Sequence, residues 1–399
     1  MLTEKQLDRY ADILIWGLKT SRTNTIKRGN LFLVRFDLAA LGLAEILQAK
    51  LLDMGMHVVL RMNSTPRMEC DFYEKANGKQ LVFSPPGERP FFNALNGSVY
   101  LHAPESITHL SHIDPKKLGK AAVARKFVRD ILDKREEKGD FSWTLCTLPT
   151  EELARHADLS LDAYSRQVVK ACFLNKTKPV ASWKEIYKKA AGIKKWLNSL
   201  DIEHLHIESS HVDLIVTPGD RRRWIGISGH NIPSFEIFIS PDWRGTSGTY
   251  YADQPSYRNG NLVEGARLSF AKGKAVKVEA GRGESFLRKQ LALDAGACRI
   301  GEFSLTDRRF SKIDRFMANT LFDENYGGKD GNCHIALGSS YSDTYSGDKS
   351  RLTKKIKASL GFNDSALHWD LVNTEKKRVT ARLKGGASKV IYENGVFGC

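Results

Sequence analysis

Five short segments in the carboxyl-terminal half of this 399-residue sequence set an acid or an imidazole inside an otherwise apolar or turn-like run. They are Glu236 within Asn231 to Pro241, Glu302 within Ile300 to Phe303, Glu324 within Leu321 to Asn325, His334 within Cys333 to Gly338, and His368 with Asp370 around Trp369. An ionised carboxylate in apolar surroundings is costly unless a charge partner or a metal meets it there. Hydrolysis at a two-metal centre asks for such a set: several carboxylates to neutralise and bridge two dications, and one or two imidazoles to complete the shells. Each segment alone also has a plainer reading. A lone Glu beside Gly or Asn caps or is solvated, and a lone His among apolar residues is hydrogen-bonded in a core. An HxD pair on a strand shares one face whether or not it binds anything.

Other chemistries fit less well. His204, His206 and His211 offer an HxH zinc pattern, yet the first two alternate with Leu205 and Ile207 as a half-buried strand would. The glycine-rich stretches at Gly283 and at Gly327-Gly328-Lys329 form neither a P-loop nor a GxGxxG fingerprint, and no GxSxG elbow is present. Cys333 reads as a packing residue beside a proposed ligand. The six cysteines are scattered with no CxxC pair, which predicts reduced thiols.

With 41% hydrophobic and 27% charged residues the chain has globular composition. No run approaches the roughly 18 apolar residues of a membrane span, and the first residues lack a secretory pattern, so a cytoplasmic protein with no membrane partner is expected. The formal charge of +15 is spread over many short basic segments with no nucleic-acid module around them, so no nucleic-acid partner is expected.

The elements that must position these residues read as two domains, residues 1–185 and 186–399. Thr3 and Gln6 form a capping box ahead of Leu7, Tyr10, Leu14 and Leu18, which predicts an opening helix. Strands at Leu31 to Phe36 and His57 to Met62 flank a helical stretch from Leu38 to Leu52 that stops near Gly55. Further strands at Ser98 to His102 and Ser142 to Leu148 flank a long helix from Lys116 to Arg135. This alternation predicts an α/β domain with a mostly parallel sheet. Helices from Leu161 to Phe173 and Trp183 to Leu200 follow. The texture then changes to short alternating runs, including Arg222 to Gly229 and Phe235 to Pro241, with helices at Ser285 to Asp294 and Arg351 to Leu360. An α+β, mainly β domain is expected there.

Order and spacing together make the sequence resemble the aminopeptidase T and aminopeptidase S group, metallopeptidase family 29. Its marks NIPxxEVFxxP, LGEF, TLFDEN followed by HIALGxxY, and a late HxD read here as Asn231 to Pro241, Ile300 to Phe303, Thr320 to Asn325 with His334 to Tyr341, and His368 to Asp370. Thr147 to Tyr164 also resembles the family's hinge-side segment. The resemblance implies Glu236, Glu302, Glu324, His334, His368 and Asp370 as ligands of two divalent ions, with Glu302 or Glu324 bridging. Zinc, cobalt, manganese and magnesium all remain open. It implies Tyr341 as the catalytic phenol, a ligand carboxylate such as Glu302 as the proton carrier, peptide substrates cut at their first bond by a metal-activated hydroxide, and a homodimer. Asn325 to Cys333 makes a longer connection from Glu324 to His334 than the family pattern has. The alternatives are an amidohydrolase acting on a non-peptide amide and an inactive binding protein with a basic surface.

Overall fold

The structure is a computed structural model that describes residues 1–399, apart from the side chain of Ser350. The chain divides into two compact units: Met1–Glu185 with Ser228–Ser234, and Ile186–Ile227 with Phe235–Cys399. The division falls within the helix Pro179–Asn198.

The first unit is built on parallel strands. β1 (Leu31–Phe36) pairs with β2 (His57–Met62) and β3 (Gly97–His102), and β3 pairs with β4 (Ser142–Thr147), all parallel. The short strand Asn231–Ile232 joins β4, also parallel, to give a five-stranded sheet. β1 is apolar at five of six positions, as a strand covered on both faces must be. Helix α1 (Glu4–Thr20) starts at Thr3, whose side chain accepts from the Gln6 backbone N–H in a reciprocal capping box. It packs on α2 (Leu41–Asp53) and on β4. Gly55, at φ +77°, ends the α2 turn. Helices α3 (Pro66–Lys75) and α4 (Glu88–Ala94) were not legible as periodic runs, whereas α5 (Pro115–Glu137) was. Val128, Ile131 and Leu132 of α5 cover a core of Leu33, Phe92, Leu95 and Phe141.

The second unit is mainly antiparallel. It carries an eight-stranded sheet and a four-stranded sheet. The four-stranded sheet runs His368–Asn373, Asn332–Gly338, Ile300–Thr306, Glu236–Ile239 in spatial order, each antiparallel to the next. Asn259-Gly260 and Asn394-Gly395 each turn a hairpin, as Asn-Gly pairs favour. Arg222 to Gly229, which alternates like a strand, is not one. It makes only isolated bridges at Arg222 and Ile225, because Gly226 at φ +142° and Ile227 at φ +52° break the extended path. At Gly226 the backbone of Glu236 and Ile237 comes so close that a Cβ would lie 2.0 Å from the Glu236 carbonyl oxygen.

The two central strands of the four-stranded sheet are buried at every position. Its apolar face holds Ile237, Phe303, Leu305, Ile335, Trp369 and Leu371. Tyr250 of the larger sheet donates its hydroxyl to the carbonyls of Leu371, 2.7 Å, and Cys333, 3.2 Å. Gly338 ends its strand at φ +103°, and a Cβ there would meet the Leu367 carbonyl oxygen at 2.2 Å. Gly338→Ala therefore adds a backbone clash to left-handed strain worth about 1–3 kcal/mol. Urea unfolding should show a loss of at least that size; an unchanged midpoint would contradict the packing described at this turn.

Candidate metal centre

Strand alternation alone gathers most of the polar set. Antiparallel register places Thr306 opposite Glu236, Ser304 opposite both His334 and Phe238, Ala336 opposite Glu302 and Asp370, and Gly338 opposite His368. Directly opposed residues share a face, so Glu236, Glu302, His334, His368 and Asp370 all rise from the same side of the sheet. Ser304, Ala336 and Gly338 between them are small and leave the space above the sheet open to the acids. Gly301 sits at the register shift before Glu302. A Cβ there would meet the carbonyl oxygens of Gly338 and Ser339 at 2.4 Å each, so glycine permits the approach that sets Glu302 beside its neighbours.

Glu324 arrives from elsewhere, at the carboxyl end of the short helix Thr320–Asp323. Asn325 secures it. Its side-chain N–H donates to Leu321 O, 2.9 Å, and to Glu324 Oε1, 3.4 Å, while its carbonyl oxygen accepts the backbone N–H of Phe235, next to Glu236. The long connection to His334 folds back on the same segment. The Asn332 side chain donates to Glu324 O, 3.0 Å, and Tyr326 O, 2.6 Å, and Gly331 N–H donates to Gly327 O.

The resulting geometry is a buried acid–imidazole cluster. His334 Nε2 lies 3.2 Å from Glu236 Oε2, 3.4 Å from Glu302 Oε1 and 3.9 Å from Asp370 Oδ1. His368 Nε2 lies 3.5 Å from Asp370 Oδ1 and 3.8 Å from Glu302 Oε2. Donor atoms of Glu236, Glu302 and His334 all fall within 4.8 Å of one another, a spacing that one cation can span. His368 Nδ1 is 2.9 Å from Ser339 O, which can only accept, so Nδ1 carries a proton and Nε2 is the ring nitrogen turned to the cluster.

The electrostatics agree with a site made for cations. Burial lifts Glu302 to about 7, with the Glu236 charge adding to the rise against the hydrogen bond from His334. Glu324 is lifted further by burial and by Glu236 and Asp370. Burial pulls His334 down, but its acceptors Glu236 and Glu302 outweigh that and carry it well above its ordinary value. A strong base beside these acids is Arg258, whose guanidinium burial draws down to about 10 against the pull of Asp370. Its Nη1 donates to His368 O at 2.8 Å. Hard oxygen donors with two imidazoles suit divalent ions. The residues fit such ions.

Tyr341 stands beside the cluster. Its ring centroid is 4.8 Å from that of His368 and 5.9 Å from that of Phe238, and its backbone N–H donates to Ser240 Oγ at 2.9 Å. The competing histidines go elsewhere. His206 pairs with Asp213 at 2.8 Å and His211 with Glu375, and none of the three joins a metal-capable group among the described residues. Cys333 lies on the apolar face, where burial pushes its thiol up. Arg258 and Asn325 escaped the reading of the sequence. Asn325 was quotable only as a motif letter, and Arg258 beside an Asn-Gly turn reads as a surface residue.

A mainly antiparallel unit holding a buried carboxylate–imidazole cluster, together with a parallel α/β unit, defines a two-domain metal-dependent hydrolase. The thermophilic metalloprotease (M29) family model matches residues 3–397, and the chain belongs to that family. Aminopeptidase 2 of Geobacillus stearothermophilus is 27% identical over 98% of this chain and 97% of its own length. Aminopeptidase T of Thermus thermophilus is 30% identical over 54% of each chain. The solved structure of wild-type AmpT from Thermus thermophilus has the same fold, with a TM-score of 0.79 and 21% identity over 100% of both chains.

A divalent ion seated in this cluster would compete with protons for the same oxygens. Without metal, an acid raised to about 7 contributes stability at low pH that is lost as pH rises through 7. The raised His334 and His368 act in the same direction, and the lowered Asp370 acts against them. Added divalent ions relieve the repulsion that deprotonation creates. Differential scanning fluorimetry should therefore show a larger metal-induced rise in Tm at pH 8 than at pH 6. An equal or smaller rise at pH 8 would contradict this account.

Proposed function

We propose that this chain is an aminopeptidase that removes the first residue of peptides at a two-metal site held by Glu236, Glu302, Glu324, His334, His368 and Asp370. The observation that carries the reading is the convergence of three carboxylates and two imidazole Nε2 atoms on one buried sheet face, with Glu324 brought against them from a short helix and the Arg258 guanidinium beside Asp370. Charge supports two ions over one. Four carboxylates and Arg258 leave the site three charges negative. One divalent ion leaves it negative still, whereas two make it positive by one, which a hydroxide nucleophile balances. The relatives named aminopeptidases support the substrate class.

When bound, such ions supply a Lewis acid for the peptide carbonyl and bring water into its ionised form near neutral pH. The chain's own residues do the rest. A free, neutral amino terminus would bind in the cluster beside these ligands, which fits cleavage restricted to the first bond. Tyr341, beside His368, is placed to donate to the oxyanion that develops on that carbonyl. Glu302, whose Oε1 lies 3.4 Å from His334 Nε2 at the centre of the cluster, is the carboxylate that would carry a proton from water to the leaving amine.

Metal-reconstituted protein is expected to carry about two divalent ions per chain by elemental analysis and to hydrolyse aminoacyl chromogenic substrates, with chelator abolishing and metal add-back restoring turnover. A stoichiometry of one or less, unchanged in the His368→Ala, Glu302→Ala double variant, would sink the two-ion reading.

Tyr341→Phe separates a chemical from a structural role. Loss of an oxyanion donor lowers turnover by on the order of 100- to 1000-fold. Metal content and Tm should stay near wild type. Turnover near wild type, or loss of metal, would assign the phenol a different role.

A further inference from the structure

Between the strand bearing His334 and the strand bearing His368 and Asp370 the chain makes an excursion with a surface of its own. It leaves at Ser340, just before Tyr341, and returns at Asn363. The two ends are tied together: Ser340 N–H donates to Asn363 O and Asn363 N–H to Ser340 Oγ, both at 2.9 Å. Tyr345, Leu352 and Phe362 form a small core inside it, with Ile356 and Leu360 packed against them. Arg222 fastens this lobe from outside. Its guanidinium stands 3.3 Å from the centre of the Phe362 ring and donates to Leu360 O at 2.9 Å and to Ser240 O at 2.7 Å. The lobe is thus a packed element, and it begins with the tyrosine that stands beside His368.

Its surface is basic. From Asp343 to Lys357 the sequence has five basic residues and two acids, and Asp220 to Arg223, bridged to the lobe at Tyr345, adds three and one. The lobe's acids are already engaged, Asp343 with Lys349 and Asp348 with Arg351. Among the described residues no acid pairs with Arg221, Arg223, Lys354 or Lys355, and all four are exposed. Arg221 donates to the Tyr345 hydroxyl at 3.2 Å and Arg223 to Asp343 O at 3.1 Å, so both guanidinium groups are held on the lobe. Helix stability does not account for the lysines. The first turn of a helix favours acids, yet Lys354 and Lys355 open the helix Lys354–Ser359. Like charges gathered in this way repel one another, and an anionic partner would relieve that repulsion.

A flexible anionic chain that meets this surface is a nucleic acid or an acidic peptide. Single-stranded nucleic acid is held by cations together with exposed aromatic rings on which its bases stack. The lobe offers no such ring: Tyr345 and Phe362 are 4% and 6% exposed, and Tyr341 packs on His368. A carboxylate-rich peptide asks only for cations within reach. At physiological salt that attraction acts over about 8 Å, and it needs no fixed path for the chain. A peptide whose amino terminus sits in the metal cluster must have its later residues outside it, and the lobe starts at the edge of that cluster.

We propose, resting on the aminopeptidase reading above, that this basic lobe selects peptides rich in Asp and Glu after their first residue. Two measurements on the full-length protein test it. The first needs no turnover: fluorescence anisotropy with labelled octaglutamate, octaglutamine and oligouridylate. Octaglutamate should bind at least about ten-fold more tightly than octaglutamine at low salt, and the difference should vanish at about 1 M salt, where screening is nearly complete. Lys354→Glu with Lys355→Glu should remove that preference, whereas Lys116→Glu with Lys120→Glu, the same change of net charge on α5, should leave it. The second is kcat/KM of metal-loaded protein on X-Ala-tetraglutamate and X-Ala-tetraglutamine peptides at low salt. X is alanine, leucine or arginine, so that first-residue preference cancels in the ratio. The glutamate-to-glutamine ratio should be about ten or more and fall by about ten-fold in the Lys354, Lys355 variant, with Tm and metal content unchanged. No preference for octaglutamate, an equal loss in the α5 variant, or tighter binding of oligouridylate would overturn the lobe as a surface for acidic peptides. Selective binding with a hydrolysis ratio near one would overturn its part in substrate choice and leave the aminopeptidase reading intact. Absence of hydrolysis on every peptide would overturn the aminopeptidase reading and, with it, the selection of substrates.

Discussion

Carboxylates taken out of water repel one another, and the four-stranded sheet holds three of them beside two imidazoles, with Glu324 brought over by a short helix. The rest of the second unit can be understood as the means of tolerating that. Burial and mutual repulsion raise Glu302 and Glu324, so these acids keep part of their protons near neutral pH. Such a cluster would relax by splaying its side chains into solvent if the backbone allowed it. The backbone does not, because the two central strands are paired on both sides and buried along their whole length.

The support comes from the opposite face. Ile237, Phe303, Leu305, Ile335 and Leu371 bury their side chains there, and Tyr250 ties two of the strands through their carbonyls. Each strand thus has an apolar side that fixes its register and a polar side that register aligns. A slip of one residue would send the acids into the apolar layer, a much larger penalty than any single ladder hydrogen bond can offset. The precision of the cluster is inherited from the packing beneath it.

This explains what the sequence disclosed. The α/β half was legible because its strands are short apolar runs between helical stretches, and the bounds of β1 and β2 coincide with those expected. Small helices without a periodic apolar stripe, α3 among them with no buried residue, left no such mark. The candidate ligands stood out as charges in apolar contexts, and alternation placed His368 and Asp370 on one face. Their convergence was not legible, since Glu236, Glu302 and His334 lie on three different strands, and only the family resemblance linked them. The strand expected at Arg222 to Gly229 failed for a local reason: alternation is erased where Gly226 and Ile227 take positive φ.

Arg258 shows where residue type alone misleads. Near an Asn-Gly turn an arginine is ordinarily solvated, yet here one guanidinium edge bonds His368 O while Nε is buried without a hydrogen-bond partner. The charge survives burial, since a guanidinium drawn down to about 10 stays protonated at neutral pH. It offsets part of the field at Asp370, and Asp370 in turn keeps it charged. The same side chain fastens the strand bearing Ser256 to the strand bearing His368 and Asp370, so one residue outside the cluster helps to position two of its members. A change at Arg258 should then weaken cation affinity through the loosened placement of His368 and Asp370 as well as through the lost charge.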